Sequence, residues 1–205
     1  KCDALGRFWV GTIDEPKASR AAALYSIDCR AGRAQLVERH AGDALTGNGL
    51  AWSPEGTTVY WSDTPSHPVH AWDYDVGTNT MAAHRIFQQF ESKPSGWDFA
   101  QTAYQGRPDG AAVDVQGNYY AAMFEGRRIC KLAPDGTLLA EYPTPAQCPT
   151  MPCFGGSDLK TLYLTTARHG RSAAELAVFP QSGCVFSMRV EVPGLPVADV
   201  LALEV

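Results

Sequence analysis

Two oxygen-bearing side chains lie at matching positions of a repeated segment of the sequence. Asn48 begins a strand-like segment and lies eight residues before Gly56. Asp109 begins a second such segment and lies eight residues before Gly117. If these segments are innermost strands of two propeller blades, both side chains project toward one mouth of a central channel. Amide and carboxylate oxygens are ligands that Ca²⁺ and Mg²⁺ prefer, although Asn-Gly and Asp-Gly also commonly form turns before strands.

The elements that would position these side chains form a repeat. Four segments combine a turn with an aromatic-rich strand: Gly6–Thr12, Thr57–Thr64, Gly117–Phe124 and Lys160–Thr166. A second strand follows each of them, at Ala22–Asp28, His70–Asp75, Arg128–Leu132 and Gly183–Val190. The strands are rich in Val, Tyr, Trp and Thr and alternate in polarity, as half-buried antiparallel strands do. We therefore predict an all-β fold in which residues 1–205 form about four blades of one propeller domain, each a four-stranded meander.

Composition excludes several classes of function. The chain has 205 residues, a net charge of −5 and 45% hydrophobic residues, which is enough for a sizeable core. It shows no basic stripe for nucleic acid and no apolar run long enough to span a membrane. Its six cysteines form no CxxC pair, and we interpret them as reduced thiols of a cytoplasmic protein.

The predicted number of blades bears on whether the ring of the propeller closes. Propellers protect the edges of their sheets by closing into a ring, and four blades of a larger ring would leave open faces. The chain starts at Lys1, directly before a strand-like segment. We therefore expect roughly two further blades upstream of Lys1 in the parent protein, and poor solubility, or a partner that supplies those blades, for these 205 residues.

The chain resembles the SMP-30/gluconolactonase/LRE family of regucalcin-like sugar lactonases over nearly its whole length. The resemblance rests on Lys1–Asp3, Gly6–Thr12, Asn48–Pro54, Asp63–Thr64, Asp73–Asp75, Pro108–Gly110, Phe154–Gly156 and Thr165–Arg168. It implies a six-bladed β-propeller with one divalent metal ion, Ca²⁺, Zn²⁺, Mg²⁺ or Mn²⁺, at the centre of the ring.

The resemblance also implies roles for individual residues. Asn48 and Asp109 correspond to two of the three protein ligands of the metal, and the third, a glutamate, would lie upstream of Lys1. Glu15 falls in the region that forms a lid over the pocket in the family, although Pro16 interrupts the usual acidic pair there. The implied reaction is the hydrolysis of a small-molecule sugar lactone, with Asp109 taking a proton from the attacking water. Without the third ligand, the 205 residues alone are expected to bind metal weakly and to show little activity.

The sequence is also compatible with two other functions. The first is a calcium-binding regulatory propeller that acts through partners, and the second is a hydrolase of organophosphates or other esters.

Other residues that could bind or pack receive simpler interpretations. We expect His67, His70, His84 and His169 to be solvated surface side chains rather than members of one cluster. We expect Trp9, Trp52, Tyr60 and Tyr163 to pack between blades.

Overall fold

The computed structural model describes residues 1–30, 36–101 and 103–198. They form four antiparallel sheets, one short α-helix and one turn of 3₁₀-helix, so the all-β prediction is confirmed. Sheet 1 contains β1 (Phe8–Gly11), β2 (Ala22–Asp28) and β3 (Leu36–Ala44). Sheet 2 contains β4 (Gly47–Trp52), β5 (Thr58–Asp63), β6 (Pro68–Asp75) and β7 (Thr80–Gln89).

The second half of the chain repeats this order. Sheet 3 contains β8 (Arg107–Val113), β9 (Tyr119–Phe124), β10 (Arg128–Leu132) and β11 (Leu138–Pro143). Sheet 4 contains β12 (Pro149–Gly155), β13 (Thr161–Thr166) and β14 (Val185–Arg189). The 3₁₀ turn spans Thr64–Ser66, and helix α1 spans Ala173–Val178. The Ser172 side chain caps α1 by accepting a hydrogen bond from the backbone N–H of Glu175.

Among the described residues, sheets 1 and 4 contain three strands each rather than the four predicted for every unit. In sheet 1 the place beside β1 is taken by an isolated bridge between Cys2 and Phe8 rather than by a strand. In sheet 4 the residues after β14, up to Ala198, form bends and a single bridge at Gly194 and do not pair with β14.

The turns from each innermost strand to the next are of one kind. The backbone N–H of Gly6, Gly56 and Gly117 donates to the carbonyl of the residue three positions earlier, and each of these glycines has a positive φ. In sheet 4 Leu159 takes the same place with a φ of 52°. This shared turn is the physical origin of the spacing that aligns Asn48 with Asp109.

The four sheets stack face to face in the order of the chain. The stack forms because successive residues of a strand point to opposite faces of its sheet, and these faces pack against the neighbouring sheets. In β9, Tyr119, Ala121 and Met123 pack with residues of sheet 2, while Tyr120 and Ala122 pack with residues of sheet 4. A third cluster, which includes Trp9 and Trp61, joins sheets 1 and 2. The innermost strands β4, β8 and β12 contact one another in sequence, as they do in neighbouring propeller blades.

Aromatic packing between sheets is confirmed for three of the four residues predicted. Trp9 meets Trp52 edge to face at 5.6 Å between ring centroids, and Tyr60 lies 5.2 Å from Tyr119. Tyr163 is 43% exposed, so its prediction is wrong. Its neighbours Leu162 and Leu164 face sheet 3, which turns Tyr163 to the other face of sheet 4, where no described sheet packs.

All six cysteines lie among the described residues and are free thiols, as expected. No helix among the described residues is long and apolar enough to cross a membrane.

Candidate functional site

Asn48 and Asp109 lie near the beginning of two adjacent innermost strands, although neither is the first residue of its strand. Asn48 is the second residue of β4, and Asp109 is the third residue of β8. The ladders begin earlier than predicted because Gly47 pairs with Asp63 and Arg107 pairs with Phe124.

Both strands are irregular at this point. The register of β4 against β5 shifts between Asn48 and Ala51, and that of β8 against β9 shifts between Pro108 and Ala111. Bulges of this kind bend a strand and redirect side chains, and they are frequent beside active sites. The two candidate ligands therefore lie in matching irregular segments of neighbouring sheets.

Hydrogen bonds join the two segments. The Tyr119 hydroxyl of β9 donates to the Gly49 carbonyl at 2.7 Å, and the Ser62 hydroxyl of β5 lies 3.4 Å from the Asp109 carbonyl oxygen. Ser62 is also the β5 partner of Asn48 in the ladder. Each candidate ligand is thus connected to the sheet that carries the other one.

Two glycines allow the innermost strands to come this close. A Cβ atom on Gly49 would lie 2.4 Å from the Tyr119 hydroxyl and 2.6 Å from the Ser62 hydroxyl, and Gly49 has a φ of 59°. A Cβ atom on Gly110 would lie 2.4 Å from the sulfur of Met151, on β12. Larger side chains here would separate β4, β8 and β12 at the end where the candidate ligands lie.

The amide of Asn48 is oriented by one hydrogen bond. Its Nδ2 donates to the Thr64 hydroxyl at 2.9 Å. This leaves Oδ1, the atom that a cation needs, without a hydrogen bond among the described residues. The donor set therefore fits a hard cation on the Asn48 side.

Asp109 is half-buried, and its electrostatic environment favours a bound cation. Burial raises the pKa of its carboxyl to about 7, because desolvation outweighs the positive charge of Arg107 and the backbone N–H of Gly110. A carboxyl group that is desolvated without a close ion pair suits a divalent ion, which would supply the missing charge.

Glu15 lies in an exposed turn beside the same end of β4. The carboxylate of the preceding residue, Asp14, is buried and accepts hydrogen bonds from the backbone N–H groups of Ala18, Ser19 and Arg20. The Asp14 N–H in turn donates to the Leu45 carbonyl, two residues before β4. The turn is thus anchored next to the strand that carries Asn48, and Glu15 itself faces solvent.

Sequence reasoning missed two of the groups that support this end of the site, Tyr119 and Ser62. Asp63 is buried, and its Oδ1 accepts the backbone N–H groups of Leu45 and Thr46, which fixes the entry into β4. The Asp63-Thr64 pair in the sequence predicts such a tie between a strand end and a neighbouring turn, and these contacts confirm it for Asp63. Tyr119 and Ser62 carry no local signal, because their role depends on the packing of sheet 2 against sheet 3.

The described residues contain no group of three or more His, Cys, Asp or Glu side chains placed to hold a metal ion. This is consistent with a site to which they contribute one carboxylate and one amide. A cavity of about 480 Å³ opens at the other end of the innermost strands, lined by Ala51, Trp52, Val113 and Phe154 among others. Neither Asn48 nor Asp109 contributes to its wall, and we assign it no part in the chemistry.

The histidine interpretation needs two corrections, because His67 is buried and because His70 and His84 lie together, with Nδ1 of His70 2.9 Å from Nε2 of His84. His67 is not a solvated surface residue: it is 4% exposed, and its Nε2 lies 2.8 Å from the Tyr104 hydroxyl. His67 is held by residues on both sides of the connection that follows β7: the Phe90 N–H donates to the His67 carbonyl at 3.2 Å, and the Tyr104 ring packs against the imidazole. His84 and His169 are exposed as expected, and His70 is half-buried.

Comparisons with known proteins agree with this picture. A model of the SMP-30/gluconolactonase/LRE-like region matches residues 1–168. The chain is 43% identical over 194 residues to a 6-deoxy-6-sulfogluconolactonase of Pseudomonas putida, covering 95% of the chain and 62% of that protein. It is 33% identical over 200 residues to a regucalcin of Danio rerio, covering 96% of the chain and 63% of that protein.

A solved structure shows the same fold. The crystal structure of a calcium-binding protein, regucalcin, from Agrobacterium tumefaciens superposes with a TM-score of 0.80 at 24% identity, over 95% of the chain and 61% of that protein. The chain thus spans somewhat less than two thirds of the length of these proteins.

Proposed function

The chain belongs to the SMP-30/gluconolactonase/LRE-like family, and from this membership and the geometry of β4 and β8 we propose that it serves the metal-dependent hydrolysis of a sugar lactone to an aldonic acid. The observation that supports the proposal most directly is the hydrogen-bonded junction of the Asn48 and Asp109 segments. The names of the relatives support lactone hydrolysis at the level of the family.

In this proposal Asn48 Oδ1 and the Asp109 carboxylate hold one divalent cation. When bound, such an ion acts as a Lewis acid that polarises the lactone carbonyl and stabilises the negative charge that develops on its oxygen. The third protein ligand, a glutamate in the family, is proposed to lie in the part of the family fold that these 205 residues do not cover. We infer that the complete fold is a ring of six blades.

In this proposal a residue of the chain also accepts the proton that the attacking water loses. An Asp109 carboxylate oxygen accepts a proton from the attacking water as the new carbon–oxygen bond forms. The bond between the carbonyl carbon and the ring oxygen breaks, and the ring oxygen takes the proton from Asp109 to become a hydroxyl group of the aldonic acid, which returns Asp109 to its carboxylate form. Glu15, at the rim of the same mouth, is proposed to contact hydroxyl groups of the sugar.

The test is the metal dependence of lactone hydrolysis by a protein that carries this chain within the full family length. We expect chelation to abolish the hydrolysis of an aldonolactone, and Zn²⁺, Mn²⁺, Ca²⁺ or Mg²⁺ to restore it. Asp109→Asn should lower kcat/KM at least ~100-fold, because it removes both a ligand and the base. Asp73→Asn, on the exposed face of β6, is the matched control and should leave the rate unchanged. Turnover that survives chelation, or full activity of Asp109→Asn, would contradict the proposal.

A second candidate function is supported by the relatives named regucalcin and by the structure titled a calcium-binding protein. Here the same two residues bind Ca²⁺, and the protein acts by binding a partner. In that case lactone hydrolysis stays at background while Ca²⁺ changes the affinity for the partner.

A further inference from the structure

Two histidine rings meet on the outer strands of sheet 2, away from β4 and β8. Nδ1 of His70, on β6, lies 2.9 Å from Nε2 of His84, on β7, and the ring centroids are 5.0 Å apart. We propose that His70 and His84 form a binding site for a divalent transition-metal ion of the Ni²⁺, Cu²⁺ or Zn²⁺ type, independent of the Asn48–Asp109 site.

The distance between the two nitrogens suits a shared ion. Imidazole nitrogens bind such ions at about 2.0–2.1 Å, so two of them at right angles around one ion lie about 2.9 Å apart. In the observed contact one of these nitrogens donates a proton to the other in a hydrogen bond. Ion binding requires that this proton move to the other nitrogen of its ring, so that both facing nitrogens offer lone pairs to the ion. Water completes the coordination, because His84 faces solvent.

Both histidine rings pack against the indole ring of one residue, Trp72. Trp72 stacks on His84 with centroids 4.9 Å apart and planes at 30°, and its centroid lies 5.6 Å from that of His70. Rings packed on a common surface lose less freedom when an ion binds, which favours binding.

The local backbone brings His84 toward His70. The ladder pairs His70 with Ile86, so His84 is two residues away from the direct partner position. The register of β6 against β7 then shifts between Ala71 and Asp73, beside His84, and Ala83 adopts a left-handed φ of 48°. A non-glycine residue in this conformation is uncommon, and such residues are concentrated at functional sites.

Burial favours the neutral form of the His70 ring, which leaves it available as a ligand. Burial, and then the neighbouring His84, lower the pKa of His70, while Asp63 and Arg20 act on it in opposite directions. A neutral imidazole is the form that binds metal.

The ligand types separate this site from the oxygen site of β4 and β8. Imidazole pairs favour Ni²⁺, Cu²⁺ and Zn²⁺, whereas amide and carboxylate oxygens favour Ca²⁺ and Mg²⁺. The His70–His84 site should therefore not bind Ca²⁺.

The test is a titration of the 205-residue chain with Ni²⁺, in which calorimetry measures the heat of binding and tryptophan fluorescence measures quenching. Ni²⁺ is the suitable probe because the six thiols of the chain would reduce Cu²⁺ and compete for Zn²⁺. We expect one ion per chain to bind and to quench the fluorescence of Trp72, and His84→Ala to weaken this binding at least tenfold. His169→Ala, which removes another exposed histidine, is the control and should change nothing.

Two further measurements assign the ion to its site. Asp109→Asn should leave Ni²⁺ binding intact, and an excess of Ca²⁺ should not displace the ion. Trp72→Phe should keep the heat of binding and lose most of the quenching. Equal Ni²⁺ affinity in His84→Ala, loss of binding in Asp109→Asn, or displacement by Ca²⁺ would each overturn the proposal.

Discussion

At the scale of single residues, the close approach of β4 to β9 depends on Gly49. Its φ of 59° disfavours any side chain, and the Tyr119 and Ser62 hydroxyls occupy the space that a Cβ atom would need. The Tyr119 ring is buried and cannot move aside without disturbing the packing of sheet 2 against sheet 3. Gly49 thus limits how near the Asn48 segment lies to β9.

We predict that Gly49→Ala destabilises the protein by about 2–4 kcal/mol, the sum of left-handed strain and overpacking. Gly56→Ala is the matched control. It also has a positive φ, 70°, but nothing lies within 4 Å of its added Cβ, so its cost should be about 1 kcal/mol. Urea denaturation measures both values. Equal costs for the two substitutions would show that the contacts of Gly49 do not matter.

The matching placement of Asn48 and Asp109 on adjacent innermost strands could be predicted from the sequence, because the repeated turn gives both the same spacing to a glycine. The raised pKa of Asp109 could not be predicted, because it depends on burial against neighbouring sheets. Nor could Gly49 be distinguished from Gly56 in the sequence, since their difference lies only in what surrounds them.

At the scale of elements, the connection between β7 and β8 is held to the sheets by buried polar contacts. Tyr104 bonds His67, and the Lys93 ammonium lies 2.9 Å from both carboxylate oxygens of Glu125 at the end of β9. Arg107 and Arg171 also approach Glu125, at 3.1 and 3.2 Å. These contacts join residues from three separate parts of the chain.

His67 makes this connection sensitive to pH. Burial, and then the charge of Arg107, lower the pKa of His67, so the unfolded chain binds a proton more readily than the folded one. The stabilisation from neutral His67 is therefore fully present above the unfolded pKa of about 6.5 and is lost as the pH falls. We predict that His67→Gln reduces the loss of unfolding free energy between pH 7 and pH 5, whereas His169→Gln keeps the slope of the parent chain. Urea midpoints at several pH values measure the slopes, and identical slopes in all three proteins would contradict this role.

The first and last residues of a strand could be predicted closely where the alternation of polar and apolar residues is strong. Ala22–Asp28 and Arg128–Leu132 were predicted with their observed ends. In the segments Gly6–Thr12 and Gly117–Phe124 the predicted turn is confirmed at the glycine, and the strand follows it. The strand predicted from Gly183 begins two residues later, at Val185, because Gly183 belongs to a turn. Helix α1 was not predicted, since six residues are too few to show helical periodicity.

At the scale of the whole molecule, the stack of sheets determines where chemistry is possible. Sheets 2 and 3 lie between neighbouring sheets and bury both faces of their inner strands, so the candidate ligands lie near the ends of β4 and β8 rather than along them. The repeat in the sequence predicted this stack, because alternating strands with shared turns favour consecutive blades. The sequence did not show that sheets 1 and 4 contain three strands each among the described residues, although both are built from strands that are consecutive in the chain.

The central claim is that Asn48 and Asp109 share one divalent cation. Mn²⁺ binding to the 205-residue chain, followed by electron paramagnetic resonance of the free ion, tests it most directly. With two protein ligands we predict weak binding, with a Kd on the order of 10⁻⁴ M or higher. Asp109→Asn should weaken it at least tenfold further, and Asp73→Asn and His84→Ala should leave it unchanged. Unaltered Mn²⁺ binding in Asp109→Asn, or tight stoichiometric binding by the chain alone, would contradict the ligand set described above.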